Sequence, residues 1–186
     1  MIGYAICGSF CTFSKTLEQL EELKNEGYDI LPIMSENAYS TDTRFWRAED
    51  FRVRIKEICG RDIIHTIVDA EPLGPKIKLD ALIIAPCTGN TLAKIANGIT
   101  DTSVSMAAKA HLRSDRPLVI ALASNDALSA NLKNIGTLLT RKCVYFVPMK
   151  QDDPEKKPHS LVTDFTLLGE TLKMASEGKQ LRKIFL

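Results

Sequence analysis

The sequence has no surplus of charge of either sign. Its 24 Lys and Arg stand against 23 Asp and Glu, a formal net charge of +1 over 186 residues. That balance removes the electrostatic footprint of a nucleic-acid-binding or membrane-surface protein, so neither partner is expected. No apolar run approaches the roughly 20 residues that span a bilayer. The opening MIGYAICGSFC lacks a basic n-region and runs straight into a strand-like segment, so a signal peptide is not expected. Cysteines are few: Cys7, Cys11, Cys59, Cys87 and Cys143 are odd in number, scattered, and form no CxxC. A disulfide framework is therefore not expected, and a reducing cytoplasm is the natural compartment. His65, His111 and His159 have no partner spacing such as HExxH, and no metal site is expected. Neither a Walker A loop nor GxGxxG occurs.

What is present is an ordinary globular composition, 45% hydrophobic and 25% charged, long enough for one domain over residues 1–186. Short apolar runs alternate with helical patterns. Ile2 to Cys7 reads as a buried first strand, and residues 14–26 as a helix with Leu17, Leu20 and Leu23 on one face and Gly27 as its stop. Tyr28 to Met34 reads as a second strand, with Pro32 off the ladder. A polar loop over 35–43 leads to a helix from about Arg44 to Cys59, and Asp62 to Val68 reads as a third strand. Residues 69–79, with Pro72, Gly74 and Pro75, form a loop. Ala81 to Ala85 is the clearest buried strand, followed by the turn Pro86–Asn90 and a short helix ending at Gly98. A helix over 101–111, a strand over 117–122, a helix over 125–139 and a strand over 143–147 come next. Residues 149–160 read as an exposed loop and 161–176 as the closing helix. This alternation implies βαβ crossovers and a three-layer α/β/α, doubly wound parallel sheet, Rossmann-like or flavodoxin-like.

In such a sheet ligands bind beyond the carboxyl ends of the strands, where strand order reverses. Two turns qualify. In the first, Gly8 permits close backbone approach, and Ser9, Thr12 and free N–H groups can hold a phosphate; the alternative is a plain turn capped by Thr12 or Ser14. The second is Pro86-Cys87-Thr88-Gly89-Asn90-Thr91, whose side chains suit a polyol or phosphate, or a capped turn. Ser35 could complete an anion cradle. Ser124 and Asn125 follow a further strand and read as ligands or an Asx turn. Cys7, Cys11 and Cys87 could gather at the cleft as a thiolate or metal site, although packing as small hydrophobes is the simpler reading. Arg44 and Lys76 are the cations chosen for an anionic substrate. The Lys156 and Lys157 stretch is an exposed loop or a mobile lid. No general base is evident.

At these turns the chain resembles the flavoprotein family that includes the flavin-dependent cysteine decarboxylases. The shared features are the Gly-Ser turn and PCTGNTLAKIANGITD, which is similar to the family's PxSANT segment. STDTRF at 40–45, IVDAEPLGPK at 67–76, MAAKA at 106–110, SNDAL at 124–128 and QDDPEKKPHSLV at 151–162 resemble a sporulation branch of that family, whose members serve as one subunit of a dipicolinate-forming oxidoreductase. The resemblance implies FMN, with NADP as the alternative cofactor. It implies a small dicarboxylate substrate, a partner A subunit with its own dinucleotide domain, a homo-oligomer that is a trimer or a multiple of it, and the mother-cell cytoplasm of a sporulating bacterium. By position, Gly8, Ser9 and Ser35 would hold the phosphate, and Thr88, Asn90 and Thr91 would line the flavin or substrate. A non-catalytic scaffold for the partner and a flavin-dependent decarboxylase are the other functions it allows. The decarboxylases' catalytic His falls here on Pro72, Gly89 replaces the motif's Ala, and SNDALSAN only faintly echoes their PxMNxxMW segment.

Overall fold

The computed structural model describes residues 1–74 and 76–186, so Pro75 lies outside the described residues. Four parallel ladders build the centre of the sheet in the order β2, β1, β3, β4, β5, formed by Ile30–Met34, Ile2–Ile6, Leu82–Cys87, Leu118–Ser124 and Val144–Phe146. The chain goes from β1 outward to β2, then returns to place β3 on the other side of β1. That reversal is the topological switch point of the flavodoxin-like order.

Each strand feeds both faces, because successive side chains alternate. Tyr4, Ile6, Ile83 and Val119 face a core shared with Phe13, Leu17 and Leu20 of α1 (Phe13–Asn25) and Phe51 and Ile55 of α3 (Ala48–Cys59). Ala5, Cys7, Ile84 and Ile120 face the opposite core, against Leu92 of α5 (Gly89–Ala96) and Val104 and Ala107 of α6 (Ser103–Leu112). Burial on both faces explains why LIIAPC of β3 is apolar without alternation. The three layers expected from the sequence are therefore present.

Several boundaries differ from expectation, each for a local reason. Residues 62–68 do not form a strand: Ile64 makes a single bridge to Ile33, and Thr66 then caps the short α4 (Ile67–Ala70) by accepting from the Asp69 amide at 3.1 Å. Pro32 is tolerated in β2 because its carbonyl accepts from the Ile64 amide, 3.0 Å, so its missing N–H faces the edge rather than β1. The 35–43 loop contains the one-turn α2 (Glu36–Ser40). The helix expected from Arg44 starts at Ala48, whose amide is taken by Asp42 at 2.8 Å. The helix expected over 101–111 begins at Ser103 behind a Thr102–Ser105 capping box.

In the segment 125–139 only α7 (Leu132–Leu139) is α-helical, because Asp126 gathers the preceding turns around its carbonyl and carboxylate. The last third departs furthest. Met149–Lys150 is β6 and Leu161–Thr163 is β7, an antiparallel hairpin that extends β4 at Ala123 and Ser124. The sheet is thus mixed, and the closing helix α8 spans Leu168–Ser176 rather than beginning at 161. Among the described residues no helix is long and apolar enough to cross a membrane.

Phe51 is fully buried and stacks on Phe13, ring centroids 4.0 Å apart, with Trp46 at its edge. Phe51→Ala should lower unfolding free energy by about 3–5 kcal/mol, read from urea denaturation midpoints. A loss under about 1 kcal/mol would mean that α3 does not depend on this contact.

Candidate functional site

A cavity of about 450 Å³ opens at the carboxyl ends of β1 and β3, in the switch-point crevice. Such a volume is that of a small-molecule site, roughly 300–1,000 Å³. Its wall is made by the turn after β1 (Cys7, Gly8, Phe10), the start of α2 (Ser35, Glu36, Asn37), the first two turns of α5 (Thr88, Asn90, Thr91, Lys94) and the segment before α6 (Asp101, Thr102). The Gly8 and Thr88 turns, far apart in sequence, do converge.

The local chemistry leaves donors free. Thr88 caps α5, its hydroxyl accepting from the Thr91 amide at 3.3 Å and donating to the Thr91 hydroxyl at 3.2 Å. That leaves the Gly89 and Asn90 amides with no acceptor among the described residues. The exposed Asn90 side chain is also unpaired among them. Ser35 caps α2 by accepting from the Ala38 amide at 3.3 Å, and its hydroxyl proton remains available. The ionised side chains of the lining are one cation, Lys94, and two carboxylates, Glu36 and Asp101, so they carry no surplus positive charge. Lys94 pairs with Asp101 at 2.9 Å, which holds that carboxyl below the usual range, and Glu36 accepts from the Ser103 amide at 3.0 Å. Attraction for an anion therefore comes from the α5 amides and not from net side-chain charge.

Of the residues selected from sequence, Gly8, Ser35, Thr88, Asn90 and Thr91 line the cavity. The others are placed differently. Ser9 lies beside the lining, with its carbonyl taken by Thr12. Thr12 is buried, and its hydroxyl donates to that carbonyl at 2.8 Å, so it serves the turn. Pro86 is buried in β3, where its carbonyl accepts from the Cys7 amide at 3.1 Å.

Gly89 faces away from the cavity. A Cβ there would collide with Ser124 Oγ and lie 2.7 Å from Asp126 Oδ1 and from Asn131 Nδ2. Its role is close approach of α5 to the loop after β4. Ser124 donates to Asp126 in that packing cluster, and Asn131 donates to the same carboxylate at 2.8 Å. Asn125 is exposed beside it, outside the lining.

The two cations do not reach the cavity. Arg44 is exposed, with its guanidinium 4.8 Å from the Phe45 ring. Lys76 belongs to the opposite end of the strands from the cavity: its loop leads to Asp80, which binds the Met1 ammonium at the start of β1 at 2.8 Å. β1 ends at the cavity, one strand length away, about 17 Å.

Sequence reasoning missed Phe10, Glu36, Asn37, Lys94, Asp101 and Thr102. The Lys94–Asp101 pair spans a helix stop at Gly98 and obeys no helical spacing. The Thr102–Ser105 box, by contrast, is legible as a cap. Cys7 borders the cavity but is buried, Cys87 is buried outside the lining, and Cys11 is exposed. Burial, eased by the Thr91 hydroxyl, pushes the Cys7 thiol up to about 11, and burial also raises Cys87. Among the described residues no His lines the cavity, and no group of three His, Cys, Asp or Glu is placed to hold a metal ion.

A switch-point cavity of this kind on a doubly wound sheet defines a nucleotide- or flavin-binding class of protein, and residues 1–166 match the model of the Flavoprotein family, to which the chain belongs. It is 44% identical over 183 residues to the dipicolinate synthase B subunit of Bacillus subtilis (strain 168), covering 98% of this chain and 92% of that one. The crystal structure of the dipicolinate synthase B subunit from Bacillus halodurans matches with a TM-score of 0.91 at 40% identity, covering 100% of this chain and 95% of the other. Flavin prenyltransferase UbiX of Neisseria meningitidis (serogroup B) is 26% identical over 151 residues, 80% of this chain and 76% of that protein.

The lining fits one half of a flavin mononucleotide well. Free amides and hydroxyls suit a phosphate and a polyol. For a flat three-ring system Phe10 alone among the lining side chains offers an aromatic surface, so the ring end needs a wall from outside this cavity.

At pH 8 a thiol reagent should label Cys11 and spare Cys7 and Cys87, mapped by peptide mass spectrometry. The sign follows from the raised Cys7 value: the folded thiol stays protonated until the pH nears about 11, so the stability it contributes is whole below about 9 and is lost as the pH rises from there to about 11. Fast labelling of Cys7 at neutral pH would mean that the cavity floor opens.

Proposed function

We propose that this chain is the flavin-binding subunit of a dipicolinate-forming oxidoreductase. Working with an A subunit that carries a dinucleotide domain, it would help convert dihydrodipicolinate to pyridine-2,6-dicarboxylate in the mother cell of a sporulating bacterium. The observation that carries this is the convergence of the Gly8 turn and the α5 amides in one polar crevice. The 44% identity to a dipicolinate synthase B subunit along almost the whole chain supports the choice of reaction.

In this function Gly8, Ser35 and the Gly89 and Asn90 amides bind the phosphate, while Thr88, Asn90 and Thr91 hold the polyol. FMN, when bound, would supply a two-electron acceptor, with NADP as the alternative cofactor. The reaction removes a hydride and a proton from the dihydropyridine ring, and aromatisation drives it. The protein's task is then mainly orientation and exclusion of water. Lys94 is neutralised by Asp101, so this cavity is poorly suited to two substrate carboxylates. Those are met by other cations, on this chain or on its partner.

The open ring end favours a homo-oligomer in which a second copy supplies the missing wall. The absence of a His from the lining disfavours cysteine decarboxylation.

Purified protein should be yellow, with flavin absorbance and an FMN mass. Asn90→Ala should weaken FMN binding by about 1–3 kcal/mol with unchanged melting temperature. A colourless protein that binds neither FMN nor NADPH, yet activates the A subunit, would replace this function with a scaffold role. Unchanged FMN affinity in folded Asn90→Ala would remove Asn90 from the site.

A further inference from the structure

A second cavity, of about 210 Å³, lies on the far side of the α5–α6 connection. Its floor is apolar, made by Ile95 at the end of α5, Ile99 after the Gly98 stop, and Leu112 at the end of α6. Two cations stand in its walls, Lys109 on α6 and Arg141 just after α7. Their neighbours Lys94 and Lys142 are neutralised by Asp101 and Asp115. Lys109 and Arg141 have no acidic partner among the described residues, and no Asp or Glu lines the groove. An apolar slot flanked by two uncompensated cations is complementary to a small flat body carrying carboxylates.

The groove is back to back with the flavin-type cavity. Lys94 and Ile95 are consecutive on α5 and line one cavity each. Thr102 lines the first and Ser105 the second, and their hydroxyls are 2.8 Å apart in the cap of α6. One thin wall therefore separates the two spaces.

We propose that this groove is a separate binding site for a single-ring aromatic dicarboxylate, with Ile95, Ile99 and Leu112 against the ring and Lys109 and Arg141 on the carboxylates. The choice of a pyridine dicarboxylate over another ring acid rests on the proposed reaction; the ligand class rests on the groove itself. It also answers where the carboxylates go when the polar cavity has no spare cation.

The test is calorimetric titration of the full-length chain, without added flavin and in metal-free buffer, with pyridine-2,6-dicarboxylate and with benzene-1,3-dicarboxylate. Lys109→Met and Arg141→Met are titrated in parallel. Both residues stand near helix C-termini, where a cation also favours the helix, so melting temperatures are compared for each variant. The expected result is saturable binding by the wild type, weakened by about tenfold or more in each folded variant, a loss typical of a hydrogen bond to a charged group. Lys109→Arg should retain binding even if Lys109→Met is unstable. No binding by the wild type, or equal binding by both Met variants, overturns the proposal, including the case in which a second copy of the chain covers the groove. Binding of the benzene acid alone keeps the site and sinks the proposed reaction. Because no flavin is added and the groove shares no lining residue with the polar cavity, the presence or absence of copurified FMN does not decide this result.

Discussion

The peptide amides at the start of α5 have no acceptor within the described chain, and the architecture around them follows from that. A helix must begin somewhere, and its first N–H groups point back along the axis. Here the axis begins where β3 ends, one strand from the end of β1 and at the point where the winding reverses. Thr88 satisfies the third amide and leaves the first two without an acceptor among the described residues. The same crevice on a sheet without the reversal would be filled by the connection from the neighbouring strand.

Holding α5 in that place requires the other side of its first turn to be packed hard. Gly89 lets the helix touch the Ser124–Asp126–Asn131 cluster with no side chain between. That carboxylate is held below the usual range, first by the Ser124 hydroxyl and, against the opposing effect of burial, also by the Asn131 amide. The motif position that looks most like a ligand contact is therefore a packing position. The side chains that line the cavity here are those on either side of it, Thr88 and Asn90.

The layered fold was legible because burial on both faces writes an unmistakable pattern: LIIAPC and PLVIALA have no polar alternation, and Leu17, Leu20 and Leu23 repeat at helical spacing. The Gly8 and Thr88 turns were legible for the same reason, since each terminates such a run. What escaped was set by single side chains acting across the chain. Ile64 belongs to a strand-like string but finds only the edge of β2. Leu161 to Thr163 look like a helix start until Met149 and Lys150 offer them a hairpin partner. Lys76 was a reasonable cation with no distance attached to it; the ion pair of Asp80 with the Met1 ammonium shows that its loop leads to the amino ends of the strands, away from the cavity.

The placing of the cations follows the same division of space. A flavin phosphate and a dicarboxylic acid are both anions, and one crevice with one neutralised lysine is ill suited to hold both. Proteins bind two like-charged ligands more readily in separate fields than in a shared one. In this chain Lys94 is tied to Asp101 on the polar side of the α5–α6 wall, while Lys109 and Arg141 stand on its apolar side with no acidic partner among the described residues. The first space then relies on amide dipoles, which suit a phosphate, and the second on full charges over an apolar floor, which suit a ring acid. The wall itself is the capped start of α6, with the Lys94–Asp101 pair on its polar face and none of that pair on its apolar face.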